Sequence, residues 1–363
     1  MSSSSYPYIV SALKYRPKEF SEVVGQEAIT QTLEKAIAEN KLAQALLFCG
    51  PRGVGKTSCA RILSKKINEE ENSTTDNDFA FNIFELDAAS NNTVEDIRNL
   101  NNQVRIPPQV GTHKVYIIDE VHMLSLAAFN AFLKTLEEPP AHVIFILATT
   151  EKHKIIPTIL SRCQIYDFKR MTVGNTKKHL TTIAQDKNIE VEDEALQLIA
   201  QKADGAMRDA LSLFDRMIAY SDTHLTAKLV ADNLNIIDSE TYFDLVDLAI
   251  AQKIPQLLLS LDKILSSGFD GSQFLVGLAA HFRELLVSKD PQTLALLTAS
   301  DAAKERFKKQ SSSLQLSYLL LVLDLIQEAE TRYKGILNKR LHLELCLMQI
   351  ASASSGGEKK KSN

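Results

Sequence analysis

A glycine-rich segment constrains this chain more than any other part of its sequence. The residues Gly50-Pro51-Arg52-Gly53-Val54-Gly55-Lys56-Thr57 follow an apolar run at 45–49 and precede a helix-compatible stretch at 58–68. This spacing predicts a phosphate-binding loop between a buried strand and a helix, because glycines let successive N–H groups face phosphate oxygens. In such a loop Lys56 contacts the β and γ phosphates and the Thr57 hydroxyl ligates Mg²⁺. The alternative is a glycine-rich turn with a solvated lysine.

Two adjacent acids follow a second apolar run. The residues at 115–118 are all apolar and lead into Asp119 and Glu120. Such a run predicts a central strand of a parallel sheet, whose carboxyl end is where α/β proteins bind ligands. We expect Asp119 to hold Mg²⁺ through water or Thr57, and Glu120 to polarise the attacking water as general base. The alternative is a pair of surface acids, and His122 is expected to be structural or to contact a site residue.

A third apolar run, at 143–148, predicts another strand that brings Thr149 and Thr150 to the same edge as Asp119. A hydroxyl there can orient water beside the γ-phosphate, although threonine is also common at strand ends. Ser125 is expected to cap a helix that runs to 138, with Glu137 and Glu138 as its solvated end.

Arginines and flanking residues supply further candidates. Arg162 is either a surface residue or an arginine finger that points at a neighbouring subunit's nucleotide. Arg208 lies in the first turn of a predicted helix at 206–220, off its apolar stripe, where it can reach ATP or pair with an acid such as Asp204. The segment Tyr15-Arg16-Pro17 is either a surface arm or closes over the nucleotide base.

A helix is also predicted at 93–104, with Ser90 or Asn92 as its cap. This cap would place backbone donors and Arg98 near a nucleic-acid phosphate, although a plain cap and a solvated arginine are the simpler interpretation.

Length and composition bound the architecture. A chain of 363 residues with 45% apolar and 24% charged residues predicts two or three globular domains. Helices without strands are expected from residue 171, with a helical bundle at 238–350 and a tail at 351–363. The net charge of −4 requires any nucleic-acid contact to come from a local basic surface.

The sequence also bounds the compartment in which the chain works. It has no apolar run of eighteen residues and no secretory signal pattern, so we expect a cytoplasmic protein without a membrane span. Its four cysteines lie far apart without C-x-x-C spacing, and we expect them to be reduced and mostly in the core.

An ordered set of motifs carries a family resemblance over residues 10–350. The set comprises Tyr15-Arg16-Pro17, Val24-Gly25-Gln26, Gly50 to Thr57, Asp87-Ala88-Ala89-Ser90, Ile118-Asp119-Glu120-Val121-His122-Met123-Leu124, Lys134-Thr135-Leu136-Glu137-Glu138-Pro139-Pro140, Leu147-Ala148-Thr149-Thr150, Ser161-Arg162-Cys163 and Gly205-Ala206-Met207-Arg208-Asp209. It closely resembles the gamma/tau subunits of bacterial DNA polymerase III. The resemblance implies an AAA+ ATPase of a pentameric clamp loader, which opens the sliding clamp when ATP-bound and releases it on primed DNA after hydrolysis.

The resemblance also implies domains, partners and residue roles. It divides the chain into an α/β AAA+ P-loop base (1–170), a helical lid (171–237), a helical collar (238–350) and a flexible tail (351–363). Its partners would be delta, delta-prime and further gamma/tau subunits, the sliding clamp and primed-template DNA. Thr150 resembles the first sensor, Arg162 the finger acting in trans, and Arg208 the second sensor in cis. The nucleotide contacts would come from Arg16, Pro17 and Val24 near adenine and from Gly50, Pro51, Arg52, Gly53, Val54, Gly55, Lys56, Thr57 and Ser58.

One segment departs from the family pattern. Familiar members carry a cysteine-rich zinc module after the phosphate-loop helix, whereas residues 68–78 here are acidic and polar and contain no cysteine. We therefore predict an exposed loop and no zinc site. Two other functions remain open from the residues: another AAA+ motor, such as a branch-migration helicase, and a scaffold that binds ATP without hydrolysing it.

Overall fold

Five parallel strands form the sheet that carries the phosphate-loop segment. The computed structural model describes residues 9–68, 82–109, 111–221, 224–234, 237–297 and 301–353. The strands are β1 (Ala45–Cys49), β2 (Ile83–Asp87), β3 (Lys114–Asp119), β4 (Val143–Thr149) and β5 (Gln164–Asp167). Their order is β2-β3-β4-β1-β5. The register pairs Cys49 with Thr149 and Asp87 with Asp119, so the carboxyl ends of the strands lie at one edge.

Helices cover both faces of this sheet. They are α2 (Glu27–Ala38), α3 (Lys56–Asn68), α4 (Val94–Val104), α5 (Leu126–Glu137) and α6 (Pro157–Leu160), and the single turn α1 (Ser11–Lys14) precedes them in the chain. Alternate residues of each strand enter two separate cores. Leu47 and Phe145 pack with α4 and α5, while Phe48 and Ile146 pack with α2 and α3. All seven residues of β4 are buried, as predicted for a central parallel strand.

Local chemistry explains several helix boundaries. The predicted Ser125 cap is confirmed, because its hydroxyl accepts a hydrogen bond from the backbone N–H of Ala128. The cap predicted at Ser90 or Asn92 is wrong, since Thr93 caps α4 in a capping box with Asp96. Asn68 was expected in an exposed loop, but it is the buried last residue of α3 and accepts a hydrogen bond from the His113 N–H. The rest of that expected loop lies outside the described residues.

The chain forms two compact units. Of the described residues, the first contains those up to Ile189 together with Ile199–Tyr220, and the second contains Glu190–Leu198 and those from Ser221 onward. Beyond the sheet, the first unit includes α7 (Val173–Asp186) and α9 (Met207–Tyr220). Helix α8 spans Asp193–Lys202.

The second unit is almost entirely helical. Its helices are α10 (Ala227–Asn233), α11 (Ser239–Ile250), α12 (Ile254–Ser266), α13 (Gly271–Val287), α14 (Asp301–Ser312), α15 (Leu316–Tyr333) and α16 (Lys339–Ala353). A short parallel pair, β6 (Glu190–Val191) with β7 (His224–Leu225), corrects the expectation of helices alone after residue 171. Helix α16 includes the first three residues of the segment expected to be a tail, and residues 354–363 lie outside the described part. The predicted fold class, a parallel α/β sheet followed by helical regions, is confirmed.

All four cysteines are unpaired, and Cys49, Cys59 and Cys346 are buried as expected. Within the described ranges, no three histidine, cysteine or acidic side chains are grouped to hold a metal ion. The same ranges contain no helix that is both long and apolar enough to cross a membrane.

Candidate functional site

The glycine-rich segment turns between β1 and α3, as predicted. All three of its glycines have positive φ, with values of 147° at Gly50, 75° at Gly53 and 102° at Gly55. Gly50 also lies against the chain after β5, where an added Cβ would come 2.5 Å from the carbonyl oxygen of Phe168. Only glycine combines this backbone conformation with such a close approach. The loop is therefore a turn whose backbone is free of side chains at these positions.

Lys56 provides a buried positive charge at the base of this loop. Its residue is only 6% exposed, and its ammonium donates hydrogen bonds of 2.8 Å to the carbonyl oxygens of Gly50 and Pro51. Burial lowers the pKa of Lys56, while the nearby charges of Glu120 and Asp119 act in the opposite direction. No carboxylate of the described residues forms an ion pair with it. An ammonium held only by carbonyls fits an anionic phosphate ligand.

Thr57 and Asp119, the two residues predicted to hold Mg²⁺, lie within hydrogen-bond distance of each other. The Thr57 hydroxyl donates to Asp119 Oδ2 at 2.8 Å, and the other carboxylate oxygen accepts from the Glu120 N–H at 2.9 Å. Both side chains are partly exposed at the strand edge. A hydroxyl and a carboxylate with open coordination positions suit Mg²⁺, which binds through a few protein oxygens and retains water. The residues present therefore fit this ion.

Glu120 is held towards the neighbouring strand. Its backbone is left-handed, with φ 47°, a conformation that non-glycine residues adopt rarely. Its Oε2 accepts hydrogen bonds from the backbone N–H of Thr150 at 3.2 Å and from the Thr150 hydroxyl at 3.0 Å. The structure thus brings together the predicted general base and the predicted sensor threonine.

His122 contacts this pair of residues. Its Nδ1 lies 3.0 Å from Thr149 Oγ1 and 3.4 Å from Glu120 Oε2, and its Nε2 lies 3.5 Å from Glu151 Oε1. The His122 side chain is 6% exposed, and each of its ring nitrogens lies near a carboxylate, that of Glu120 or of Glu151. Of the two interpretations left open for His122, contact with a site residue is the one observed.

Arg162 makes its contacts away from the loop. Its guanidinium pairs with Glu137 at 2.6 Å and donates to the carbonyl oxygen of Thr158 at 2.7 Å and to Ser161 Oγ at 3.3 Å. Glu137 and Glu138 are both exposed, as expected for a solvated helix end, and Glu137 is in addition the ion-pair partner of Arg162. The structure does not bring Arg162 into contact with Lys56, Thr57 or Glu120 among the described contacts.

Arg208 lies beside the phosphate-loop segment. Its backbone N–H approaches the Gly53 carbonyl oxygen at 3.5 Å, and a Cβ added to Gly53 would lie 3.4 Å from Arg208 Cβ. The alternative pair with Asp204 is not formed, because Asp204 pairs with Arg170 at 2.6 Å. Within the part of the chain that the structure describes, Arg208 has no acidic partner.

Arg16 contacts the first turn of the loop helix α3. Its Nε donates to Ser58 Oγ at 3.3 Å. Burial lowers the pKa of Arg16, and the positive charges of Arg61 and Arg208 lower it further. Pro17 and Val24 are half-buried in the same segment, and Arg52 is exposed on the loop.

Gln26 is a site residue that sequence reasoning did not single out. Its side-chain amide donates to the carbonyl oxygens of Val54, at 3.4 Å, and Lys169, at 2.7 Å, and accepts from the Lys169 N–H at 3.3 Å. Val54 is fully buried, so this amide ties the loop to the chain after β5. The only signal was its place in the Val24-Gly25-Gln26 motif.

Comparisons with known proteins identify the family. Three family profiles match in succession: the DNA polymerase III delta subunit at 25–172, the ATPase lid domain of the DNA polymerase III clamp loader subunit at 175–223, and domain III of DNA polymerase III subunits gamma and tau at 225–362. DNA polymerase III subunit gamma from Buchnera aphidicola is 30% identical, over 95% of this chain and 99% of its own length. The chain belongs to the gamma/tau family of bacterial DNA polymerase III subunits.

Longer gamma/tau relatives match over the same region. DNA polymerase III subunit tau from Bacillus subtilis is 39% identical over 94% of this chain, and the Escherichia coli subunit tau is 36% identical over 94%. The chain spans 62% and 55% of the lengths of these two relatives. A solved structure of Thermotoga maritima RuvB is 22% identical with a TM-score of 0.49, covering 70% of this chain and 88% of that one.

Proposed function

We propose that this gamma/tau chain is an ATP-hydrolysing motor subunit of the clamp loader of the DNA polymerase III holoenzyme. It would load the sliding clamp onto primed DNA during replication, while another subunit carries nucleotide polymerisation. The observation that carries the proposal is the meeting of Lys56, Thr57, Asp119, Glu120 and Thr150 at the carboxyl ends of β1, β3 and β4. The names of the relatives and the clamp-loader lid profile support the same function.

Nucleotide binding would use the loop and the two arginines beside it. Backbone N–H groups of residues 52–58 would face the phosphates, with Lys56 neutralising their charge. Arg16, Pro17 and Val24 would lie near the adenine, and Arg208 would contact the phosphates from α9. Thr57 and Asp119 would hold Mg²⁺, which neutralises charge on the phosphate oxygens when bound.

Hydrolysis would depend on Glu120 and Thr150. The Glu120 carboxylate would polarise the attacking water and accept its proton, and Thr150 would orient that carboxylate and the water. A scaffold that only binds ATP needs no general base. An ATPase assay of Glu120→Gln, which keeps the side-chain shape, separates the two functions because only an enzyme loses turnover.

Completion of the site would require a neighbouring subunit. Arg162 makes no described contact with its own loop and is placed on the surface, as a finger acting on a neighbour's nucleotide would be. The partners proposed are delta, delta-prime and further gamma/tau copies, with the clamp and primed-template DNA as substrates of the assembly. The division into base (1–170), lid (171–237) and collar (238–350), a cytoplasmic location and the lack of a zinc site belong to the same proposal.

Reconstitution tests this function directly. The chain is mixed with delta and delta-prime subunits, and ATP hydrolysis is measured with and without sliding clamp and primed template. Because an arginine finger is worth about 10³ to 10⁵ in rate, we expect slow hydrolysis by the chain alone and strong stimulation in the full mixture. Hydrolysis that does not respond to clamp and primed template would contradict the clamp-loader function.

A further inference from the structure

We propose that Asp215, a buried residue of α9, positions Arg16 for nucleotide binding by anchoring the start of α1. The proposal rests on the nucleotide role proposed above for Arg16. Asp215 is far from the phosphate loop in sequence and makes none of its described contacts with that loop. It would therefore act only through Arg16. Asp215 is therefore a positioning residue and not a catalytic one.

Asp215 makes a charged anchor between three elements. Its carboxylate accepts the Ser11 backbone N–H at 2.5 Å and the Ser11 hydroxyl, and it pairs with the Lys187 ammonium at 3.0 Å. The Asp215 residue is 8% exposed, and the Lys187 side chain is 19% exposed. A buried carboxylate with this many donors is held firmly, because breaking the contacts leaves an uncompensated buried charge.

Helix α1 depends on such contacts for its position. It is a single turn of four residues, which is too short to be stable by itself. Its first residue is bound by Asp215, and at its end Lys14 pairs with Asp186 at 2.9 Å while the Tyr15 hydroxyl donates to the same carboxylate. Both acids belong to the region matched by the lid profile. The lid helices thus hold α1 at both ends.

Arg16 comes directly after this anchored turn. Its Nε reaches Ser58 Oγ in the first turn of α3, at 3.3 Å. The chain between Ser11 and Arg16 is one tight turn, closed by the Tyr15 N–H on the Ser11 carbonyl oxygen at 2.9 Å. Because this turn is tight, a displacement of Ser11 would also move Arg16.

One helix would then place two nucleotide-binding arginines. Arg208 begins α9 beside Gly53, and Asp215 follows about two helical turns later on nearly the same face. Arg208 would contact the phosphates directly, whereas Asp215 would position Arg16 by anchoring α1. This arrangement explains why a carboxylate is buried in a helix that otherwise packs apolar residues.

A double-mutant cycle on the full 363-residue chain tests the proposal. The dissociation constant of a fluorescent ATP analogue is measured with Mg²⁺ for wild type, Arg16→Ala, Asp215→Asn and the double variant, at a temperature where each is folded by circular dichroism. Arg216→Gln is the matched control, because Arg216 is the next residue of α9 and is exposed. If Asp215→Asn does not fold, Ser11→Ala replaces it, since that change removes only one donor to the carboxylate.

Non-additivity is the expected result. Asp215→Asn should weaken binding by about three- to tenfold and no more than Arg16→Ala does, yet change it less than about twofold in the Arg16→Ala background. Arg216→Gln should leave the affinity unchanged. Effects of Asp215→Asn and Arg16→Ala that multiply would overturn the proposal, as would wild-type affinity in Asp215→Asn. Wild-type affinity in Arg16→Ala would instead show that the proposed nucleotide role of Arg16 is wrong.

Discussion

The Thr57 hydroxyl donates a hydrogen bond of 2.8 Å to the Asp119 carboxylate and so joins the start of α3 to the end of β3. Residues separated by more than sixty positions thereby present two oxygen ligands side by side. A hydroxyl and a carboxylate side by side at a partly exposed edge suit Mg²⁺, which binds through a few protein oxygens and retains water.

Replacement of this hydroxyl should uncouple nucleotide binding from Mg²⁺. We expect Thr57→Val, which keeps the branched shape, to lose most of the Mg²⁺-dependent gain in ATP affinity, whereas Thr57→Ser retains it. Calorimetric titration of ATP with Mg²⁺ and with EDTA measures this gain. An equal response to Mg²⁺ in wild type and Thr57→Val would contradict the assignment.

Glu120→Gln should separate binding from chemistry. The amide keeps the size of the side chain and can still accept from Thr150, but it is a far weaker base, so we expect turnover to fall by about 10² to 10⁴. The affinity for ATP should change little. Single-turnover hydrolysis in the reconstituted complex measures the effect, and a turnover within a few-fold of wild type would argue for a different base.

Variants of the Arg162–Glu137 ion pair distinguish a structural role of Arg162 from a role as arginine finger. Both side chains are partly exposed, at 32% and 48%, so the pair should add at most about 1 kcal/mol to stability. Glu137→Gln breaks the pair but leaves the arginine, and we expect near wild-type stimulated turnover. Arg162→Ala should bind ATP normally and lose stimulation. Equal losses in the two variants would show that the pair, and not the free guanidinium, matters.

The helical second unit should lose stability in mild acid because of His281. This ring is buried against Phe243 and Phe307, and burial lowers its pKa from 6.5 to about 4. Between about pH 4 and pH 6.5, His281 therefore binds a proton in the unfolded state but not in the native state. Stability is fully present above pH 6.5 and falls by up to about 3 kcal/mol as the pH drops to about 4. Thermal unfolding across this range should show a shallower pH slope in His281→Gln, and an unchanged slope would contradict the assignment.

The sequence predicted those parts of the molecule in which one local pattern carries both structure and chemistry. Apolar runs that end in Asp119 or Thr149 mark buried parallel strands and their functional ends, and the glycine spacing marks the loop between them. The cap of α4 was assigned to the wrong residue because several capping residues stand in a row before Thr93. The β6–β7 pair was missed because two-residue strands have no periodicity.

Contacts between distant residues were beyond sequence reasoning. The pairing of Arg162 with Glu137 joins the ends of two helices that carry no shared pattern. In the sequence, Asp215 is one of several polar residues in an amphipathic helix. Its partner Ser11 lies 204 positions earlier, so no local pattern connects the two. A buried carboxylate and its donors become visible only when the fold brings them together.

We propose that ATP is hydrolysed in a site that two copies or subunits complete together. A mixing experiment tests this shared site. Lys56→Ala and Arg162→Ala chains are assayed for ATP hydrolysis one at a time and then mixed with each other, in every case with delta, delta-prime, clamp and primed template present. We predict that each variant alone is nearly inactive and that the mixture recovers activity, since some interfaces then pair an intact Lys56 with an intact Arg162 from a neighbour. A mixture no more active than the sum of its parts, or full activity of Arg162→Ala alone, would contradict the account.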